Sequence, residues 1–277
     1  MERANGECSH QPVGAIRLNA ERSPRPYVPP RPLAVWAFTR YFRAQFARHF
    51  ATVRWASLTE TGGWDRSLPT LFVSNHTNWW DGILAFVLSR EVGLTFHILM
   101  DAAELARYPV FRWIGVLPLR RGSLKGAWDD LAGALPCLRP ATGLWIFPQG
   151  GRRPQGARPS RLARGAAHLA LSHPGCVRIV PVAFRYVFAS EQRPEAFALL
   201  GQPRLQTSGP TAGRRDLTVT LERDLLVTLD LLDRRLAEEA YGGFRMLVSG
   251  KLSVNKRMDR FRHAVGLLRG RFEARNG

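Results

Sequence analysis

The sequence predicts an α/β fold: a mixed, largely parallel sheet covered by helices, with an amphipathic helical segment ahead of it. Two patterns carry this reading. Short apolar blocks, among them TLFVS at 70–74 and CVRIVPVAFRYVF at 176–188, alternate with longer stretches of helical period. Strands that alternate with amphipathic helices build a sheet covered on at least one face. A length of 277 residues and a hydrophobic content of 45% suffice for one large domain with a full core. Proline inside two of the apolar blocks predicts interruptions of regular pairing.

The elements follow in order. Residues 1–31 carry Pro12, Pro24, Pro26, Pro29 and Pro30 among charges, which denies the backbone a helix and predicts a flexible arm. From Pro32 the chain reads PLAVWAFTRYFRAQFARHF, with a proline suited to a helix start and no glycine. On that helix Phe38, Phe42, Phe46 and Phe50 recur every four residues as one stripe, and Arg40 and Arg43 fall on another side. The stripe fits two placements equally: among lipid acyl chains with the arginines at headgroup phosphates, or on the domain core. An amphipathic membrane-docking segment over 32–55, followed by a single domain over 56–277, is the expected organisation.

Within that domain the sequence predicts a strand at 70–74, a helix near 80–91 and a helix near 103–112. GVLPLRR, a helix near 124–138, GLWIFPQGG and a helix near 161–172 come next. ALLGQPRLQ and DLTVTLE read as further strands, 223–240 as an amphipathic helix, and KLSVNKRMDRFRHAVGLLRGRF as a basic helix.

Lys plus Arg number 40 against 22 Asp plus Glu, a net charge of +18 that draws the protein toward phosphate-rich surfaces, lipid or nucleic acid. All but Lys125, Lys251 and Lys256 of these cations are arginine, which base composition of a genome also produces. Cys8, Cys137 and Cys176 are far apart and show no metal-ligand spacing, so a reduced state and no metal site are expected. No apolar run begins the chain as a signal peptide would, and none is long enough to span a bilayer.

The densest chemistry lies in SNHTNWWDG, directly after TLFVS and before the apolar GILAFVLSR. His76 and Asp81, five apart, cannot meet on one continuous helix, but they meet if His76 precedes the helix. Asn78 is placed to cap that helix, with Asp81 in its first turn. A carboxylate on one imidazole nitrogen fixes the tautomer and frees the other nitrogen to take a proton from an alcohol. An isolated His–Asp pair is as readily a structural contact. No G-x-S-x-G nucleophile elbow occurs, which argues against a serine hydrolase.

Four ordered blocks resemble the 1-acylglycerol-3-phosphate acyltransferase family of glycerolipid acyltransferases. Its N-H-x4-D block is similar to Asn75, His76 and Asp81, and its Gly-apolar-Arg block to Gly115–Arg121. Its Phe-Pro-Glu-Gly-Thr-Arg-Ser block is similar to Phe147–Arg153, and its Pro-containing strand to Ile179–Val182. RLARGAAHLA also resembles the family's stretch in which a basic residue and a glycine open a helix. The resemblance implies His76 and Asp81 as catalytic residues. It implies Asn75, Arg120, Arg121, Gln149, Gly150, Gly151, Arg152 and Arg153 as substrate-binding, since forked guanidinium donors match phosphate oxygens and glycines admit a close ligand.

The expected reaction moves a fatty acyl group from acyl-CoA or acyl carrier protein to the hydroxyl of a lysophospholipid such as 1-acylglycerol 3-phosphate. No bound cofactor or metal is expected. The expected location is peripheral, on the cytoplasmic face of an anionic membrane. Gln149 stands where the family has Glu, and Gly151 where it has Thr, so a different acceptor is the alternative: a glycolipid, a lyso-aminolipid or a glycosylated isoprenoid. A basic protein that binds nucleic acid or membrane without catalysis explains the charge but not the ordered blocks.

Overall fold

The computed structural model describes residues 28–59, 64–189, 191–207 and 213–250. Most of the Pro-rich arm, Cys8 and the basic C-terminal stretch from residue 251 lie outside these residues. In chain order the elements are α1 (Pro32–His49), β1 (Thr52–Ser57), β2 (Thr70–Ser74), α2 (Trp80–Glu91), β3 (Thr95–Asp101), α3 (Ala102–Arg107), β4 (Val116–Leu119) and α4 (Leu124–Ala134). Then follow β5 (Thr142–Ile146), α5 (Gly165–Ser172), β6 (Val177–Val187), β7 (Glu195–Leu200), β8 (Arg204–Gln206), α6 (Arg214–Ala237) and β9 (Arg245–Ser249).

The strands form one mixed sheet in the order β4-β3-β5-β2-β6-β7-β1-β9, with β8 paired to β6. From β4 to β6 every neighbour runs parallel. Beyond β6 the direction alternates: β6 with β7 and β1 with β9 are antiparallel, and β7 with β1 is parallel. The predicted α/β fold is therefore present, with β2 at its centre. Every residue of β2, β5 and β7 is buried, as helices on both faces require, which is why these strands read as continuous apolar runs. Phe72, Trp145, Val180 and Phe184 pack toward α1 and α2 on one face. Leu71, Val73, Leu144 and Ile146 pack toward α4, α5 and α6 on the other.

The aromatic stripe of α1 belongs to the core. Phe42, Phe46 and Phe50 are all but inaccessible, and Phe38 packs against the same cluster. Burying four large rings is worth several kcal/mol, far more than the helix's own propensity supplies. What α1 leaves outside is Leu33, Trp36 and Tyr41. The helix stops at His49, and residues 52–55 belong to β1 rather than to a docking helix reaching 55.

DLTVTLE is helical, not a strand. Leu217, Val219 and Leu221 mimic a period of two, but the pattern that wins is Leu217, Leu221, Leu225, Leu229 and Leu232, one buried stripe at helical spacing. Val219 and Val227 consequently face solvent. The helix expected at 103–112 splits into α3 and a 3-10 turn at Pro109–Ile114, because Pro109 cannot continue the hydrogen-bond ladder. Pro136 likewise converts the end of the 124–138 helix into a 3-10 turn. The stretch 161–164 is loop, and α5 begins only at Gly165.

Pro181 does not break β6. The strand pairs with β8 through Val177–Ile179 and with β7 from Val182 onward, and Pro181 falls between the two pairings, where its carbonyl accepts the Gly201 N–H at 2.8 Å. At Gly115, φ is +103° and an added Cβ would collide with the carbonyl oxygen of Phe96, so only glycine fits where the chain enters β4. No described helix is long and apolar enough to cross a membrane.

Candidate active site

Strand β2 ends at Ser74, and the chain needs five residues to reach α2 at Trp80. His76 sits in that turn and Asp81 one step inside the helix, the geometry that lets them meet. The His76 Nδ1 lies 2.8 Å from Asp81 Oδ2. Asp81 is fully buried and its charge is met by donors on all sides. The backbone N–H groups of Thr77 and Asn78 donate to Oδ2 at 2.6 and 3.0 Å. The Thr77 hydroxyl reaches Oδ1 at 3.3 Å, and the Tyr186 hydroxyl donates to Oδ1 at 2.8 Å. An acceptor-only carboxylate holds Nδ1 as the protonated nitrogen of neutral His76 and leaves Nε2 with its lone pair.

The ring itself is fixed from one side by Phe147, stacked at 4.4 Å and 12°. Its backbone is bracketed by the loop that follows β5. The His76 N–H donates to Gln149 Oε1 at 2.6 Å, and the Arg153 N–H donates to the His76 carbonyl at 2.9 Å. The imidazole remains partly open, its side chain 22% accessible.

Asn78 does cap α2, one residue earlier than a simple N-cap reading places it: Trp79 is the N-cap position, and Asn78 Oδ1 accepts from the Trp80 N–H at 2.8 Å. Asn75 is buried and exchanges two hydrogen bonds with the backbone of Phe184, at 3.1 and 2.8 Å, tying the end of β2 to β6. Both ends of its amide are thus committed within the chain.

The remaining predicted residues divide. Arg120 grips Asp130 with Nε and an NH2 group, both at 2.9 Å. Arg121 donates to the Gly150 carbonyl and lies 3.8 Å from Asp101. Gly150 takes φ of +71° with open space where a Cβ would be, so the loop turns there and leaves its edge uncovered. Gly151 lies beside Arg121, where an added Cβ would come 3.6 Å from an Arg121 NH2 group. The Arg152 and Arg153 side chains are exposed, with no carboxylate within ion-pair distance among the described residues. The structure therefore brings the Gln149 side chain and the Arg153 backbone to His76, ties Arg121 to Gly150 in the same loop, and uses Arg120 as an internal brace.

Sequence reasoning missed Tyr186 and Phe147. Burial, with the Asp81 charge next to it, pushes the Tyr186 phenol well above its ordinary range, which keeps it a neutral donor. Tyr186 is also held through its backbone: Gln155 donates to its carbonyl at 3.0 Å and accepts from its N–H at 2.8 Å. Only the strand register of β6 against β2 brings residue 186 back to residue 81, and no local spacing signals that. Cys137 is a free, buried thiol, and burial raises it to about 11. Among the described residues no three His, Cys, Asp or Glu side chains converge as a metal-holding group.

Residues 59–185 match a protein-family model described as Acyltransferase. The matched stretch contains the His76–Asp81 turn and the Gln149 loop, and the match supports a general acyltransferase function. No curated protein and no solved structure matches the chain.

Proposed function

We propose that the protein transfers a fatty acyl group from a thioester, acyl-CoA or acyl carrier protein, to a hydroxyl of a lysophospholipid such as 1-acylglycerol 3-phosphate. The observation that carries this reading is the 2.8 Å contact of His76 Nδ1 with a buried, fully hydrogen-bonded Asp81, inside the stretch that matches the acyltransferase family model. The acceptor O–H gives its proton to His76 Nε2 as its oxygen attacks the thioester carbonyl. The tetrahedral adduct then expels the thiolate, which takes the proton from the imidazolium, leaving an ester and a free thiol. Asp81 holds the ring and supports its charge in between. Arg152 and Arg153, with their guanidinium groups unpaired, are the donors for the acceptor's phosphate.

The lipid acceptor requires a membrane surface, and the outward edge of α1 suits one. Trp36 carries Arg40 over its ring at 5.5 Å, and Trp113 carries Arg31 at 4.8 Å, so exposed rings and cations lie together as interfacial anchors do. On its inner side α1 reaches the site, with Phe50 5.8 Å from the Tyr186 ring. Peripheral docking through this edge, at the cytoplasmic face, places the site beside the lipid. A different acceptor head group is the second reading. It is favoured by Gln149, which holds the His76 backbone and brings no negative charge to the loop. Labelled acyl-CoA supplied with a panel of lysolipids, followed by chromatography of the products, tests both. Absence of any acylated lipid overturns the proposal, and the preferred lysolipid decides the head group.

A further inference from the structure

A cavity of about 350 Å³ opens between residues 161–164 and α6, lined by Arg161, Leu162, Arg164, Arg215, Thr218 and Glu222. Its arginines differ from the others that face α6. Arg158, Arg185 and Arg204 each bind an aspartate of that helix, Asp230, Asp233 and Asp224 respectively. Arg161, Arg164 and Arg215 have no carboxylate within ion-pair distance among the described residues. The cavity's single acid, Glu222, accepts from the Leu162 N–H at 3.1 Å. Three guanidinium groups against one carboxylate leave a surplus of positive charge in one concave place, and like charges gathered in this way repel unless an anion joins them. Arg161 also holds φ of +54°, a left-handed conformation that costs a non-glycine residue energy.

The walls are fixed and they connect to His76. Arg158 forks onto Asp230 at 2.6 and 2.8 Å, which pins the loop to α6. The Ala163 N–H donates to the Pro148 carbonyl at 2.7 Å, next to Gln149, which holds His76. The cavity lies on the α5 and α6 side of the sheet, whereas the exposed rings of α1 belong to the α1 and α2 side. A lipid acceptor comes from the α1 side. A water-soluble acyl carrier can come from the other.

We propose that this cavity binds a phosphate group of the acyl donor's carrier, the 3′-phosphate or the diphosphate of coenzyme A, by guanidinium forks from Arg161, Arg164 and Arg215. The assignment of donor rather than acceptor rests on the acyl-transfer reading; the recognition of phosphate rests on the cavity alone.

Free coenzyme A is titrated calorimetrically, without lipid, into the wild type, Arg164→Gln, Arg215→Gln and the double variant, with Arg223→Gln on the same helix as a charge control. All these positions are exposed, so folding is preserved. Each cavity variant is expected to weaken binding by roughly tenfold, the lower range for a hydrogen bond to a charged group, while the control binds as the wild type does. In turnover assays the KM for acyl-CoA rises and that for lysophosphatidic acid does not. No coenzyme A binding to the wild type, or equal binding in every variant, overturns the proposal. A rise confined to the KM for lysophosphatidic acid also overturns it and gives the cavity to the acceptor's phosphate. His76→Ala separates the two readings: full turnover in that variant sinks the base assignment but leaves the coenzyme A titration to decide the cavity.

Discussion

The side-chain Oε1 of Gln149 accepts the backbone N–H of His76 at 2.6 Å. The side chain that departs most from the resembling family is thus a strut beneath the candidate base. Gln149→Ala removes the strut and is expected to cost about 1 kcal/mol of stability and most of the activity. Gln149→Glu keeps an acceptor at the same reach, so stability in urea unfolding stays near the wild type. Its new carboxylate sits at the His76 backbone N–H, and a negative charge there favours a protonated ring, so the acidic limb of the pH–rate profile is expected to move to higher pH. An unmoved limb excludes residue 149 from the electrostatics of the site. A changed preference within the lysolipid panel would give it a role at the acceptor as well.

His76→Ala is expected to lower turnover by about 10²–10⁴-fold with an unchanged circular dichroism spectrum, the range for loss of a general base. Asp81→Asn falls nearly as far, because an amide cannot support the imidazolium. It also replaces a charge held by the Thr77 and Asn78 N–H groups. Wild-type kcat in either variant removes the pair from the mechanism.

Tyr186→Phe tests the donor that sequence reasoning did not find. Losing the 2.8 Å bond to Asp81 Oδ1 is expected to reduce stability by about 1–2 kcal/mol, the cost of depriving a buried carboxylate of one donor. Turnover drops with it, while the KM for both substrates holds. A variant with normal kcat would make Tyr186 a packing residue only.

His97 predicts how the fold responds to acid. Burial lowers it from 6.5 to about 4, with the charge of Arg139 adding to the effect and the backbone of Gly115 opposing it. The unfolded chain therefore binds a proton that the native state refuses between pH 6.5 and pH 4. Stability from this group is complete above pH 6.5, declines as pH falls, and is down by up to about 3 kcal/mol near pH 4. Urea unfolding from pH 7 to 4.5 should show a shallower decline in His97→Asn than in the wild type; parallel declines would mean that other groups control acid sensitivity.

Membrane docking through α1 is best tested without deleting the helix, since Phe42 and Phe46 are core residues. Trp36→Ala with Tyr41→Ala should reduce sedimentation with anionic vesicles at high salt, where ring insertion is what persists. Arg40→Gln should reduce it at low salt, where attraction to headgroups dominates. Equal binding of all variants to neutral and anionic vesicles contradicts this surface.

The parts of the fold legible in the sequence were those whose signal is local. TLFVS and the apolar helix after it coincide with β2 and α2 because burial on all sides leaves an unbroken apolar run. DLTVTLE misled because a seven-residue window holds both periods, and only the leucines beyond Glu222 separate them. In the site, the His76–Asp81 contact was legible from the turn between strand and helix. The grip of Arg120 on Asp130, the commitment of Asn75 to Phe184 and the reach of Tyr186 to Asp81 depend on sheet order, which five-residue motifs do not encode.

Two of the donors to Asp81 are main-chain N–H groups, at Thr77 and Asn78. The anchoring of the carboxylate is therefore largely indifferent to what those two positions spell. In a saturation library, position 77 should accept most side chains, losing only the weak 3.3 Å hydroxyl contact. Position 78 should favour residues able to cap Trp80. Proline, which has no N–H to give, should be lethal to activity at both. A tolerance map of this turn would thus read out backbone chemistry through side-chain substitutions.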